Sequence, residues 1–246
     1  MDTRMKKLHV MCLAYNTFEL VKDTLTLFEL QRPDYKIESA TLVDVRYPND
    51  PAINPASLKE LADLYGWNYV RPAKNYGCAG GWNWLIRELN LGDGDVLWGA
   101  DPDGRPQEPK YLDAVMEIFN KAPEAYTVQL NRPCVYSQNL PRFERKIGNV
   151  NVIDYHQLVA WSLGAFDCGW LRKIGGMLQR HPLYGYTEHA TSAAAGALGG
   201  KWYITKDFYD VHLKAPDPAF VEWKLACAEY RTQATFDQWL KEREPK

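Results

Sequence analysis

Hydrophobic positions along this chain fall into two alternating spacings. LHVMCLAYN (residues 8–16) is a short apolar run rich in β-formers, the pattern of a strand buried on both faces. It ends at Asn16 and Thr17, both good helix caps, and Leu20, Val21, Thr24, Leu25 and Phe28 then recur at helical spacing until Pro33 stops the run. ESATLVDVR predicts a second strand ending near Asp44, followed by a Pro- and Asn-rich loop, YPNDPAINP. SLKELADLYG predicts a helix capped by Ser57 and ended by Gly66, WNYVRP a third strand, and NYGCAGGWNWLIRELN a glycine-led helix with Trp82, Leu85, Ile86 and Leu89 on one face. DVLWGA predicts a fourth strand and PKYLDAVMEIFNKAP another amphipathic helix.

Strands alternating with helices predict an α/β fold with a mostly parallel sheet covered on both faces, because parallel neighbours need helical crossovers. Such sheets bind ligands at the carboxyl ends of their strands. Asn16, Asp44, Asn75 and Asp103 all fall at or just beyond such ends. The second half is less regular. AYTVQL predicts a strand, NLPRFERKIGN a basic polar loop, HQLVAWSLGAFDC a strand-like run and residues 187 to 199 a helix, followed by KWYITKDFYDVHL. Phe220, Trp223, Cys227, Tyr230, Phe236 and Leu240 suggest C-terminal helix packed on the body.

At 246 residues and 46% hydrophobic content the chain can bury a full core, and one domain is expected. The 29 Lys and Arg against 31 Asp and Glu leave a formal charge of -2, so nothing global steers it towards nucleic acid or an anionic bilayer. The longest apolar stretches are strand-sized and the N-terminus runs directly into a strand, so neither a signal peptide nor a membrane span is predicted, and a soluble cytoplasmic protein is expected. Cys12, Cys78, Cys134, Cys168 and Cys227 show neither metal-ligand nor disulfide spacing and are expected to be mostly buried thiols.

The stretch DVLWGADPDGRP (residues 95–106) concentrates the candidate chemistry: Asp101 and Asp103 flank Pro102 just past the fourth strand. Hard divalent cations take carboxylate oxygens, and a bound diphosphate supplies more, so such a pair can hold Mg2+ or Mn2+ against a nucleotide. Asp, Pro and Gly are equally the residues of an ordinary turn, and both readings stand.

The ordered landmarks HVMCLAYN, TLVDV, NYGCAGGWN, VLWGADPDG, WSLGAFDCGWLRKIGGM, YGYTEH and DVHL resemble the family 2 glycosyltransferases of GT-A fold over roughly residues 8 to 213. The resemblance implies a single Rossmann-like GT-A domain, with a nucleotide-binding half over about 1–105 and an acceptor half with a C-terminal helix over about 106–246. It implies metal-dependent, inverting transfer of a sugar from a nucleotide diphosphate sugar, a UDP-sugar first, to an acceptor hydroxyl.

Residue by residue, the resemblance places Ala14, Tyr15, Asn16 and Thr17 beside the nucleoside and Asp44 at the base. It places Asn75, Gly77, Ala79, Gly80 and Gly81 where backbone approaches the nucleotide, although tight strand-to-helix packing also explains the glycines. Asp101 and Asp103 match the acidic motif, Asp103 the better direct metal ligand, and His212 matches a late histidine that completes the metal site, against a purely structural role. Glu188 matches the catalytic base and sits in a predicted first helical turn, where the dipole favours its ionised form. The common acidic pair is here Glu188 followed by His189, which leaves the base open between the two, and N-terminal charge complementarity is the alternative for Glu188. Trp161, Ser162, Leu163 and Gly164 match a segment near sugar and acceptor; Trp161 could stack on a sugar or sit in the core.

Relatives favour a saccharide or glycan acceptor. A hydroxylated DNA base is allowed too, with Arg142, Arg145 and Lys146 around Phe143 as the basic segment to watch, although the net charge disfavours it. A nucleotidyltransferase and a non-catalytic nucleotide-sugar binding protein are the competing readings. LAYNTFE lacks the glycine- and basic-rich phosphate loop of the former, and His189 in place of a second acid suits the latter.

Overall fold

A computed structural model describes residues 5–14, 18–45, 55–74, 76–132, 142–155, 163–178 and 187–213, with backbone alone for Pro55, Arg142, Tyr155, Thr187, Glu188, His189 and His212. The first half alternates as expected: β1 (Lys7–Ala14), α1 (Phe18–Leu30), β2 (Ile37–Asp44), α2 (Pro55–Tyr65), β3 (Asn68–Val70), α3 (Gly77–Glu88) and β4 (Asp95–Gly99). It continues with β5 (Gly104–Pro106), α4 (Tyr111–Lys121), β6 (Ala125–Asn131), β7 (Arg142–Ile147), β8 (Val150–Tyr155), β9 (Gly164–Asp167), α5 (Cys168–Ile174), α6 (Thr187–Ala197) and β10 (Lys201–His212).

The sheet order is β3-β2-β1-β4-β9-β6-β10-β8-β7, with β5 pairing β10 off this path. β3, β2, β1 and β4 are mutually parallel. β9 is antiparallel to both β4 and β6, and β6 is parallel to β10, so β1, β2, β4, β6 and β10 all point one way. Among the described residues no helix is long and apolar enough to cross a membrane.

Strands covered on both faces explain the unbroken apolar runs of the first half. Val10 and Cys12 point into one hydrophobic cluster with Leu25, Phe28 and Trp98, while Met11 points into the other with Val43, Trp82 and Leu97. Helix α1 buries Val21, Thr24, Leu25 and Phe28, one face at three- and four-residue spacing. Helix α2 starts at Pro55, earlier than expected; proline suits the first helical position, and Ser57 lies inside the first turn rather than capping it. Gly66, at φ +69°, follows its end as expected.

One expectation for the second half is corrected. The basic segment is not a loop: residues 142–147 form β7, paired with β8 through a tight turn containing Gly148 at φ +59°. Its side chains at 143–146 are exposed, and a charged edge strand is a common protection against edge-to-edge pairing, so its polarity imitates a loop. Of the described cysteines, Cys12 and Cys168 are buried as expected, while Cys78 is exposed in the first turn of α3. Cys134, Cys227 and the C-terminal helix expected beyond residue 213 lie outside the described residues.

Candidate active site

The carboxyl ends of the parallel strands bring together much of what the sequence singled out. Ala14 and Asp44 are paired at the ends of β1 and β2, and the ladder continues through the Val45 N–H, which donates to the Ala14 carbonyl at 3.1 Å. Asp44 is 1% exposed. Its Oδ2 accepts a hydrogen bond from the Tyr69 hydroxyl at 2.7 Å, with Arg71 Nε at 3.9 Å. A buried carboxylate held by a hydroxyl and a nearby guanidinium keeps its orientation.

Next to β1, the Ala100 N–H donates to the Met11 carbonyl at 2.7 Å, and the chain then enters the Asp101–Gly104 turn, closed by Gly104 N–H to Asp101 carbonyl at 3.0 Å. The turn reading of this stretch is therefore correct, and it carries the two half-buried aspartates at the strand end. Arg105 fixes it from below. Its Nη1 donates to the carbonyls of Pro102 (2.7 Å) and Gly104 (2.8 Å) and to Thr24 Oγ1 in α1 (3.0 Å). Asp101 is near enough to Cys12 that, after burial, its charge is the next cause pushing that thiol well above the ordinary range, with Arg105 acting in opposition. A thiol so raised is no nucleophile.

The turn leads into β5, which pairs antiparallel with the last residues of β10: Gly104 opposite His212, Arg105 opposite Val211, Pro106 opposite Asp210. The Leu213 N–H then donates to the Asp103 carbonyl at 2.7 Å. His212 is thus brought beside the aspartate turn by backbone pairing, although far from it in sequence. Among the described side chains no three His, Cys, Asp or Glu residues gather as a metal site, and the His212 side chain is outside that set. What is present suits a hard cation in kind: two carboxylates on a braced turn, with a histidine position paired alongside.

Gly164 begins β9 opposite Gly99 and Gln129. Leu163 packs over the turn: a Cβ on Gly104 would lie 2.6 Å from its side chain. Gly77 opens α3 at φ +70°, a backbone conformation that favours glycine. A Cβ on Gly81 would gain contact at 3.2 Å with Leu13, so close helix-to-strand packing accounts for that glycine. Glu188 and His189 lie in the first turn of α6, which returns through Leu198–Gly200 into β10 and so starts towards the same sheet edge. Their side chains, and Tyr15, Asn16, Thr17, Asn75, Trp161 and Ser162 altogether, lie outside the described residues.

No model of a known protein family matches the sequence, and no curated protein matches it either. Solved structures do match in shape. GalNAc-T7 with UDP, GalNAc and Mn2+ superposes at a TM-score of 0.70 with 12% identity, over 98% of this chain and 48% of that one. A mannosyltransferase from Pyrobaculum calidifontis, PcManGT, in complex with GDP-Man and Mn2+ matches at 0.61 and 15% identity, over 99% of this chain and 66% of its own. S. aureus TarS with UDP-GlcNAc matches at 0.57 and 13%, over 96% and 71%. This chain has the GT-A glycosyltransferase fold. It spans about half the length of the GalNAc-T7 chain.

Within that GT-A frame two charged residues of β7 are engaged by neighbouring strands and loops. Arg145 donates to Glu124 at 2.8 Å and lies 4.8 Å over the Tyr203 ring, and Glu144 pairs with Lys206. Sequence reasoning missed Arg105 and Tyr69. Arg105 directly follows the aspartate turn, a local signal that was available; the Tyr69–Asp44 contact depends on how β3 lies against β2, which no local pattern discloses.

Proposed function

We propose that this chain is a metal-dependent, inverting glycosyltransferase of the family 2 type, organised as one domain with a donor half over about 1–105 and an acceptor half over about 106–246. The observation that carries the reading is the β5–β10 ladder, which sets His212 opposite Gly104 and beside Asp103 at the sheet edge where Ala14 and Asp44 also end. The motif order in the sequence supports the family 2 assignment. UDP, GalNAc and Mn2+ with GalNAc-T7, GDP-Man and Mn2+ with PcManGT, and UDP-GlcNAc with TarS support the donor class, with a UDP-sugar proposed first.

Asp101, Asp103 and His212 would hold a divalent cation. Such a cation supplies charge neutralisation of the departing diphosphate. Arg105 holds the aspartate turn against α1, so its carboxylates need little reorganisation. The family resemblance assigns Asp44 to the base, Asn16, Asn75 and Gly77 to the nucleotide, and Trp161, Ser162 and Gly164 to sugar and acceptor. Glu188, favoured as a carboxylate at a helix N-terminus, takes the proton from the attacking hydroxyl, with His189 as the other candidate base. The hydroxyl oxygen bonds to the anomeric carbon as the bond to the diphosphate breaks on the opposite face.

A saccharide or glycan acceptor is proposed over DNA, because a formal charge of -2 gives the chain no global attraction to a polyanion. The deciding experiment is release of nucleotide from a panel of nucleotide sugars by the purified protein with Mn2+, repeated with Asp103→Ala. Metal-stimulated release that the substitution abolishes supports the transferase; donor binding without release in the presence of an acceptor glycan panel indicates a non-catalytic binder instead.

A further inference from the structure

Helix α3 opens at the proposed donor site and α6 carries Glu188, and a polar bracket joins them. Asn83, one turn into α3 from Ala79, donates its Nδ2–H to the Met177 carbonyl at 2.9 Å and accepts the Met177 N–H on Oδ1 at 2.8 Å. Both backbone groups of one residue are matched by one carboxamide, a task for which the side chain must be donor and acceptor at once. The next residue, Leu178, donates its N–H to Thr191 Oγ1 in α6 at 3.0 Å. Thr191 is fully buried and Met177 is 3% exposed, so water does not compete well for these bonds.

The approach to the bracket is shaped for it. Helix α5 ends with Gly175 and Gly176 at φ +98° and +101°, and the Gly176 N–H caps the helix by donating to the Leu171 carbonyl at 2.7 Å. A Cβ on Gly176 would lie 2.7 Å from Asn83 Oδ1, so a side chain there would push the clamp open. Around the polar bracket, Met177 shares a buried apolar cluster with Trp82 and Leu85 of α3 and Ala194 and Ala195 of α6. Apolar contacts of this kind tolerate sliding; the directional bonds do not.

We infer that Asn83 and Thr191 are positioning residues, which fix the first turn of α6 relative to α3 and so the base relative to the donor. The inference rests on the proposed role of Glu188, three residues before Thr191. A misplacement of about 1 Å can cost up to about 100-fold in rate, while the nucleotide contact proposed at Gly77, where α3 begins, lies more than a turn before Asn83 and would be undisturbed.

The test is steady-state nucleotide release from the active donor by Thr191→Val, Thr191→Ser, Asn83→Ala and Glu188→Gln, with circular dichroism to verify folding. Loss of about tenfold or more in kcat with donor KM within about twofold is expected for Thr191→Val and Asn83→Ala, and recovery in Thr191→Ser, which keeps the hydroxyl acceptor. Hydrogen exchange should rise in residues 187–197 and not in 77–88. Unchanged kcat in folded Thr191→Val beside a large loss in Glu188→Gln overturns the inference alone. Full release by Glu188→Gln overturns the base assignment and the inference together. Should Asn83→Ala fail to fold, the Thr191 pair still decides.

Discussion

The two halves of the sheet are built on different rules. From β1 to β4 a helix separates each strand from the next and these four strands pair with one another in parallel, whereas from β5 onwards a reversed strand, a charged hairpin and one long strand with three partners complete the molecule. The first arrangement repeats a local unit, so each piece is specified close to where it sits. The second joins residues that are distant in sequence, and it is the part that sets the His212 backbone beside the aspartate turn. Regularity supplies the frame, and irregularity supplies convergence.

The sharpest way to break this contrast is to remove one group from each half. Asp103→Ala at the end of the regular half and Glu188→Gln in the irregular half should each lower transfer by about 100-fold or more with folding retained; near-normal rates in both purified variants would defeat the proposed convergence. The next effect is on stability. Arg132, after β6, donates from Nε and Nη2 to Asp210 on β10 at 3.1 and 2.6 Å, with side chains 7% and 0% exposed. Arg132→Met should cost about 3–5 kcal/mol in urea unfolding, because it strands a buried carboxylate. A third test falls on the seam. Arg105→Ala removes donors from the Pro102 and Gly104 carbonyls and from Thr24, and should cost about 1–3 kcal/mol and weaken Mn2+ binding measured by calorimetry. The smallest effect belongs to the surface pair on β7 and β10: Lys206→Ala should leave the unfolding midpoint unchanged, as expected for solvated charges.

What the sequence discloses follows the same division. The strand at 95–99 and the turn at 101–104 are legible because a buried apolar run and turn-forming residues are local signals. The site's other side is not. β5 spans three residues, too few to show a period, and its pairing with β10 is a tertiary event, so only the family resemblance pointed to His212 beside Asp103. β7 resembles a loop in sequence because exposed charges on an edge strand carry no apolar alternation. Arg105 follows the turn directly in sequence, but half of its hydrogen-bond partners, Thr24 and Leu20, come from α1, and that part no local pattern discloses.

The reversed strand β9 has a consequence for how the chain is made. It lies between β4 and β6 yet follows β6, β7 and β8 in sequence, so ribosomal synthesis delivers both of its neighbours first. Until residues 164–167 emerge, β4 and β6 each present an open row of amide and carbonyl groups, the kind of edge on which nascent chains pair wrongly. Closure then requires one short segment to insert between two earlier strands, a late, non-local pairing of the kind that slows folding.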